Sequence, residues 1–141
     1  MHLIARGIGK LLYDLITTAN SNDKSFYFKR REGDQSLTSN GYPFYISKQQ
    51  LTAIGTSICN SRKFIPTSFE GNFEDIISSC EGARAVDWLD FSLYIVPTTV
   101  VPCLPDNRCK KAVLSLVRGC SLALQWKLTE EDINALDRYI L

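Results

Sequence analysis

Basic side chains gather in three short clusters, which are the residues best suited to chemistry with a charged partner. The first cluster follows three aromatic residues directly, giving the run Phe26, Tyr27, Phe28, Lys29, Arg30 and Arg31. The second cluster is Arg62 with Lys63, and the third is Arg108 with Lys110 and Lys111. Cations neutralise phosphates and aromatic rings stack on unpaired bases. The pattern therefore predicts that nucleic acid is contacted by the first cluster, together with Phe26 and Phe28, and by the second cluster.

The alternative interpretation is that these clusters are only solvated faces. The chain has 16 Lys and Arg against 15 Asp and Glu, so its formal net charge is +1 and its pI is about 7.6. No overall field would steer it towards DNA or an acidic membrane. DNA and another protein both stay candidate partners, the second as the partner of a general helical interaction module. The oligomeric state is left open.

Acidic pairs are the residues that would bind a divalent cation. Asp87 and Asp90 are one helical turn apart, and Glu131 and Asp132 are adjacent. Magnesium prefers such carboxylates, but each pair has a structural explanation. We expect the first pair to form the wet stripe of a buried helix, and the second to complement the dipole at a helix start. No metal or cofactor site is predicted.

The sequence also lacks the residue pairs and motifs that nucleophilic catalysis needs. The only histidine is His2, at the terminus, and the five cysteines (Cys59, Cys80, Cys103, Cys109 and Cys120) include no C-x-x-C pair. Phosphate-loop, dinucleotide-binding, G-x-S-x-G and H-E-x-x-H motifs are all missing. The chain is therefore not predicted to be an enzyme. Unpaired cysteines usually pack as small hydrophobes and suit a reducing compartment, so we expect an intracellular protein.

The length of 141 residues and a 45% hydrophobic composition are typical of one globular domain, predicted over residues 1–141. The most apolar stretch, residues 91–104, contains two prolines and falls short of the roughly 20 residues that cross a bilayer. No membrane segment or signal peptide is predicted.

Hydrophobic periodicity predicts a mostly α fold, an irregular bundle of about five to six helices. The predicted helices are residues 1–16, a helix starting at a Ser47–Gln50 capping box, residues 83–96, a helix capped by Asp106, and a last helix capped by Thr129. Residues 20–42 form the one long polar loop, with a short hairpin as the alternative. Pro97 and Pro102 are expected to kink or break the chain.

Apolar side chains of the two most hydrophobic helices should form the core. The expected buried set is Trp88, Phe91, Leu93, Leu116, Val117, Cys120 and Leu124. In the last helix, Ile133, Leu136 and Ile140 are predicted to face inward.

Six short motifs in order give the chain a family resemblance. They are M-H-L-x-x-x-G-I (1–8), Y-I-S-K-Q-Q-L-T-A-I-G (45–55), I-P-T-S-F (65–69), A-x-x-W-x-x-F-x-L-Y-x-x-P (85–97), L-V-R (116–118) and L-T-E-E-D-I (128–133). Together they cover nearly the whole chain. The series resembles the C-terminal half of CACTA-like (En/Spm-type) cut-and-paste DNA transposases.

The resemblance implies a particular origin and location. In such transposases an RNase H-like domain holds the metal-binding acids, and the M-H-L segment follows one of them. That acid and its strands would lie upstream of Met1, so two-metal phosphoryl transfer is assigned to no residue here. The resemblance implies a non-catalytic, transposase-derived helical module that acts in the nucleus.

Overall fold

The described residues are mostly helical. The computed structural model describes residues 3–17, 42–65, 76–78 and 80–140, and within these ranges it has no β-strand. The helices are α1 (Gly9–Thr17), α2 (Lys48–Ser61), α3 (Ala85–Asp90), α4 (Asn107–Ala123) and α5 (Glu130–Ile140). The mostly α class is confirmed. The long loop or hairpin at 20–42 lies outside the described residues except for Tyr42, and one domain over 1–141 stays a prediction.

The centre of the fold is one continuous run built from α3. It goes on as a π-helix, Phe91–Val100, and ends in a 3₁₀ turn, Val101–Cys103. The π-helical part packs against α1, α2 and α4. This agrees with the prediction that the most apolar helix is central.

Of the kink or break expected at Pro97, the break does not occur, because the helix continues through Pro97 to Val100. Proline has no N–H and its ring crowds the carbonyl four residues back. Wider π-helical turns relieve this crowding, and nearby hydroxyls donate to main-chain carbonyls: Thr98 to Tyr94, and Thr99 to Ile95 at 2.7 Å. The helical run does end just after Pro102, where Leu104 is extended.

The first two helices are each flanked by a short helical segment of another type. A π-helical segment, Leu3–Ile8, leads into α1, and the 3₁₀ turn Arg62–Phe64 follows α2. The predicted capping box of α2 is confirmed, since Gln50 N donates to Ser47 Oγ and Ser47 N donates to Gln50 Oε1. Buried Tyr42 donates its hydroxyl hydrogen to the Leu15 carbonyl, which joins the start of this region to α1.

Six of the seven predicted core residues lie inside or at the edge of the observed core, and Leu124 does not. Trp88, Phe91, Val117 and Cys120 are buried, whereas Leu93, Leu116 and Leu124 are half-buried. Edge-to-face contacts join the rings at the centre, with centroids 6.1 Å apart for Trp88 and Phe91 and 5.7 Å for Tyr13 and Trp88. Such pairs add about 0.5–1.5 kcal/mol beyond burial.

The last two helices pack against each other, and both predicted caps are present. Asp106 Oδ1 accepts from Arg108 N at 2.8 Å, and Thr129 exchanges hydrogen bonds with Asp132. The extensive contacts of α5 are with α4. The inward orientation predicted for Ile133 is wrong, since its side chain is 50% exposed. Leu136 is half-buried, because α4 covers α5 only in part.

Candidate interaction surfaces

An exposed basic and aromatic turn follows α2. We call Arg62, Lys63 and Phe64 the basic turn; all three are exposed, and Phe64 is 78% exposed. Lys63 Nζ lies 5.0 Å from the centroid of the Phe64 ring, within cation–π range. No ion pair joins Arg62 or Lys63 to a carboxylate in the described ranges. The predicted second cluster is thus accessible, and its cations are available to a partner.

A groove between α2 and the central π-helix begins beside this turn. Its volume is about 290 Å³, and it is lined by Ser57, Ile58, Ser61, Tyr94, Ile95, Thr98 and Thr99. Three of its hydroxyls already donate to their own helices, Ser61 to the Ile58 carbonyl at 2.8 Å and both threonines as described above. Their oxygens are left as acceptors. The groove therefore offers an apolar floor and acceptors to a ligand that carries N–H groups.

Of the other two basic clusters, only the third lies in the described residues. The first, Lys29 to Arg31 with Phe26 and Phe28, lies outside the described residues and stays a prediction. In the third cluster, Arg108 pairs with Asp106 at 3.4 Å, and Lys110 Nζ donates to the Pro102 carbonyl at 3.4 Å. These local contacts occupy part of the third cluster's donor capacity.

The acidic pair of α3 is not the wet stripe that was predicted. Asp87 accepts from Arg84 N at 2.8 Å and pairs with its guanidinium at 3.2 Å. Asp90 is only 8% exposed, and its Oδ2 has no hydrogen-bond partner. Burial, and secondly the charge of Asp87, raise the pKa of Asp90. The side of α3 that carries Asp90 is therefore covered as well. Asp90 lies in a buried environment that favours the neutral form of its carboxyl group.

The second acidic pair has the structural role that was predicted. Asp132 accepts from Thr129 N at 2.9 Å, and its pKa is lowered by this backbone hydrogen bond and by that from the Thr129 hydroxyl. Glu131 is exposed in the same first turn. Within the described ranges, no three His, Cys, Asp or Glu side chains come together as metal ligands would.

An apolar surface lies where α4 leads into α5. We call Trp126, Leu128 and Ile133 the apolar corner; Trp126 is 97% exposed and the other two are about half exposed. Leu128 and Ile133 flank the Thr129 cap at the positions of a hydrophobic staple. Large apolar groups grouped on a surface often mark an interaction site.

Phe64 and Trp126 are the two surface residues that sequence reasoning missed. Phe64 was not singled out, although its position directly after Lys63 repeats the pairing of aromatic and basic residues in the first cluster. Trp126 lies in the short connection between two helices. A tryptophan in a turn, flanked by polar residues, is a signal that periodicity analysis of the helices does not use.

Comparisons with known proteins add no assignment. A scan against protein-family models and searches of curated proteins and of solved structures find no match to this chain. In the described ranges, no helix combines the length and apolar character needed to cross a membrane.

Proposed function

We propose that this chain is a non-catalytic helical module, derived from a cut-and-paste DNA transposase, that binds DNA in the nucleus. The transposase origin rests on the ordered motifs of the sequence. The observation that carries the binding role is the basic turn: two cations without acidic partners beside an aromatic ring that is 78% exposed. Burying Phe64 on a partner removes apolar surface from water.

The chemistry of the basic turn favours single-stranded or unpaired DNA over an intact duplex. Arg62 and Lys63 neutralise phosphates, while Phe64 offers a stacking face that only an unpaired base can use. The neighbouring groove has hydroxyl oxygens that accept hydrogen bonds, as the exocyclic amino groups of bases require. The formal net charge of +1 gives no long-range attraction, so we expect modest affinity.

Titration of a fluorescent single-stranded oligonucleotide and its duplex over a series of salt concentrations tests this proposal. We expect wild-type affinity to fall as salt rises, and single strands to bind more tightly than duplex. Arg62→Ala/Lys63→Ala should reduce the slope of log affinity against log salt by up to about 1.4, near 0.7 for each lost phosphate contact on a single strand.

Phe64→Ala separates stacking from charge. It should weaken single-strand binding by about 1–3 kcal/mol while leaving the salt slope unchanged, because it removes a ring and no charge. For Arg62→Ala/Lys63→Ala, the matched control is Lys110→Ala/Lys111→Ala. This control also removes two positive charges, but from a part of the sequence that has no neighbouring aromatic residue. Salt-insensitive binding, or no binding by the wild type, would instead favour a general protein-interaction module with no nucleic-acid role.

A further inference from the structure

The last helix is poorly covered for its length. α5 has 11 residues, and none of its described side chains, residues 130–138, is buried. Isolated helices shorter than about 12–15 residues are marginal in water and depend on tertiary packing of an apolar face. The Thr129–Asp132 cap stabilises only the first turn. A partner that covers the exposed apolar side would therefore stabilise α5 as it binds.

We propose that the apolar corner docks a basic amphipathic helix of a partner protein. Trp126, Leu128 and Ile133 supply the apolar contact, and a tryptophan that is almost fully exposed is the residue type that most often dominates interface energy. An amphipathic helix fits because its apolar anchors recur along one side and can contact several exposed apolar groups at once.

The charges around the corner select a basic partner. Glu130, Glu131 and Asp137 are exposed in α5, and none forms an ion pair in the described ranges. Lys127 and Arg138 offset them only in part, although the whole chain is slightly basic. Lysine or arginine beside the apolar anchors would meet these carboxylates and set the orientation of the partner.

The same charges disfavour the two other occupants. Nucleic acid would place phosphates against Glu130 and Glu131. A second copy that used this corner symmetrically would bring acidic residues against the same acidic residues, because a two-fold interface pairs one patch with itself. The corner is also separate in sequence from the basic turn, so this inference does not depend on DNA binding.

The two tryptophans give a built-in assay, because Trp88 is buried and Trp126 is 97% exposed. Acrylamide should quench Trp126 readily and Trp88 poorly. The probe is a synthetic peptide of leucine and lysine in helical period; the control peptide has glutamate in place of lysine. We expect the leucine–lysine peptide alone to protect Trp126 from quenching and to raise helicity by circular dichroism.

Variants assign the effect to the corner. Glu130→Lys/Glu131→Lys and Ile133→Ala should each weaken peptide binding at least about tenfold, and Trp126→Phe should abolish the fluorescence signal. Glu81→Lys, at an exposed glutamate in the turn before α3, is a control for charge reversal elsewhere on the surface and should bind normally. Arg62→Ala/Lys63→Ala should also bind the peptide normally, whatever it does to DNA binding.

Three results would overturn the proposal. Equal protection by the leucine–glutamate peptide would show that charge does not select the partner. No protection by either peptide would remove the docking surface. Protection of Trp126 that grows with protein concentration alone, with a matching rise in mass by sedimentation, would identify a second copy as the occupant.

Discussion

Gly9 of α1 lies directly against the backbone of Trp88 in α3. A Cβ atom on Gly9 would lie 2.8 Å from the Trp88 carbonyl oxygen, 2.9 Å from Ser92 Oγ and 3.1 Å from Trp88 Cβ. All three atoms belong to the buried central helical run, and the two atoms of Trp88 cannot shift without moving its backbone. The absence of a side chain at Gly9 therefore sets how closely α1 approaches the centre of the fold.

Replacing this glycine with alanine should destabilise the protein even though alanine is the better helix former. Overpacking costs about 1–3 kcal/mol, whereas the better helix propensity of alanine contributes about 1 kcal/mol. Over most of that range the cost of overpacking is the larger of the two. We expect Gly9→Ala to lower the free energy of unfolding in urea. Gly9→Ala/Ser92→Ala should recover part of the loss, since it removes one of the close contacts; a stabilised single variant would contradict the close approach.

Phe91 should be among the most sensitive positions of the core. It is fully buried and contacts the edges of Trp88 and Tyr13. Phe91→Ala should cost about 3–5 kcal/mol in free energy of unfolding, from lost burial and from the cavity left behind. Phe64→Ala is the matched control, because the same side chain is lost from an exposed turn. A loss below about 1 kcal/mol for Phe91→Ala would contradict its packing.

The helices could be predicted from the sequence because the local capping signals and the pattern of buried residues agree at these positions. Ser47 with Gln50, Asp106 and Thr129 mark helix starts by hydrogen bonds that involve nearby residues only. The continuation through Pro97 did not follow, because it depends on hydroxyls that replace lost backbone bonds and on three helices packed around the segment. The exposure of Ile133 did not follow either, since a periodic pattern indicates which side is apolar and not whether anything covers it.

The candidate surfaces were predicted only where charge was the signal. Arg62 and Lys63 were identified as neighbouring cations. The ring of Phe64 beside them becomes a candidate contact only because it is exposed, which the sequence does not show. Asp90 was misjudged for the same reason, because a carboxylate on a helix is expected on the wet side. Solvent exposure is a tertiary property, and one sequence without packing information does not specify it.

Asp90→Asn should stabilise the protein at neutral pH. Burial, then the charge of Asp87, raise the pKa of Asp90 in the folded state. The folded protein therefore binds this proton more readily than the unfolded chain, whose Asp pKa is about 3.9. The contribution of Asp90 to stability is fully present below that value and is lost as pH rises through the raised pKa. Asparagine has the same shape without the charge, so the variant should be more stable than the wild type at neutral pH.

Urea unfolding of the wild type and the variant between pH 3 and pH 7 measures this effect. The gain from Asp90→Asn should vanish at the acid end, where Asp90 is protonated. Asp87→Ala is the contrasting variant, since it loses the cap to Arg84 N and should destabilise by about 0.5–2 kcal/mol. A gain for Asp90→Asn that is independent of pH would exclude charge burial as its cause.

The five cysteines should react as independent thiols with different rates. All five are free; Cys59 is exposed and Cys120 is buried, and burial raises the pKa of the Cys120 thiol. Because the thiolate is the reactive form, Cys59 should react fastest with a disulfide reagent at pH 8 and Cys120 slowest. Denatured protein without reductant should titrate five thiols. Recovering three, or finding stoichiometric zinc, would contradict this and the reducing compartment inferred from it.

The first basic cluster, residues 29–31, should contribute more to DNA affinity than the third, residues 108–111. The first follows three aromatic residues in the sequence, so cations can reach phosphates while rings stack on bases. The third cluster begins α4, where the helix dipole adds attraction, but Arg108 is paired with Asp106 and Lys110 with the Pro102 carbonyl. Those contacts occupy part of the donor capacity that the two side chains would otherwise offer to a phosphate.

Triple alanine variants of the two clusters decide between them. The variant of the first cluster should reduce the slope of log affinity against log salt on a single strand by up to about 2, near 0.7 for each of three lost phosphate contacts. The variant of the third cluster removes the same charge and should change the slope less, which makes it the matched control. An unchanged slope for the first variant would exclude residues 29–31 from the interface and leave the basic turn as the remaining candidate.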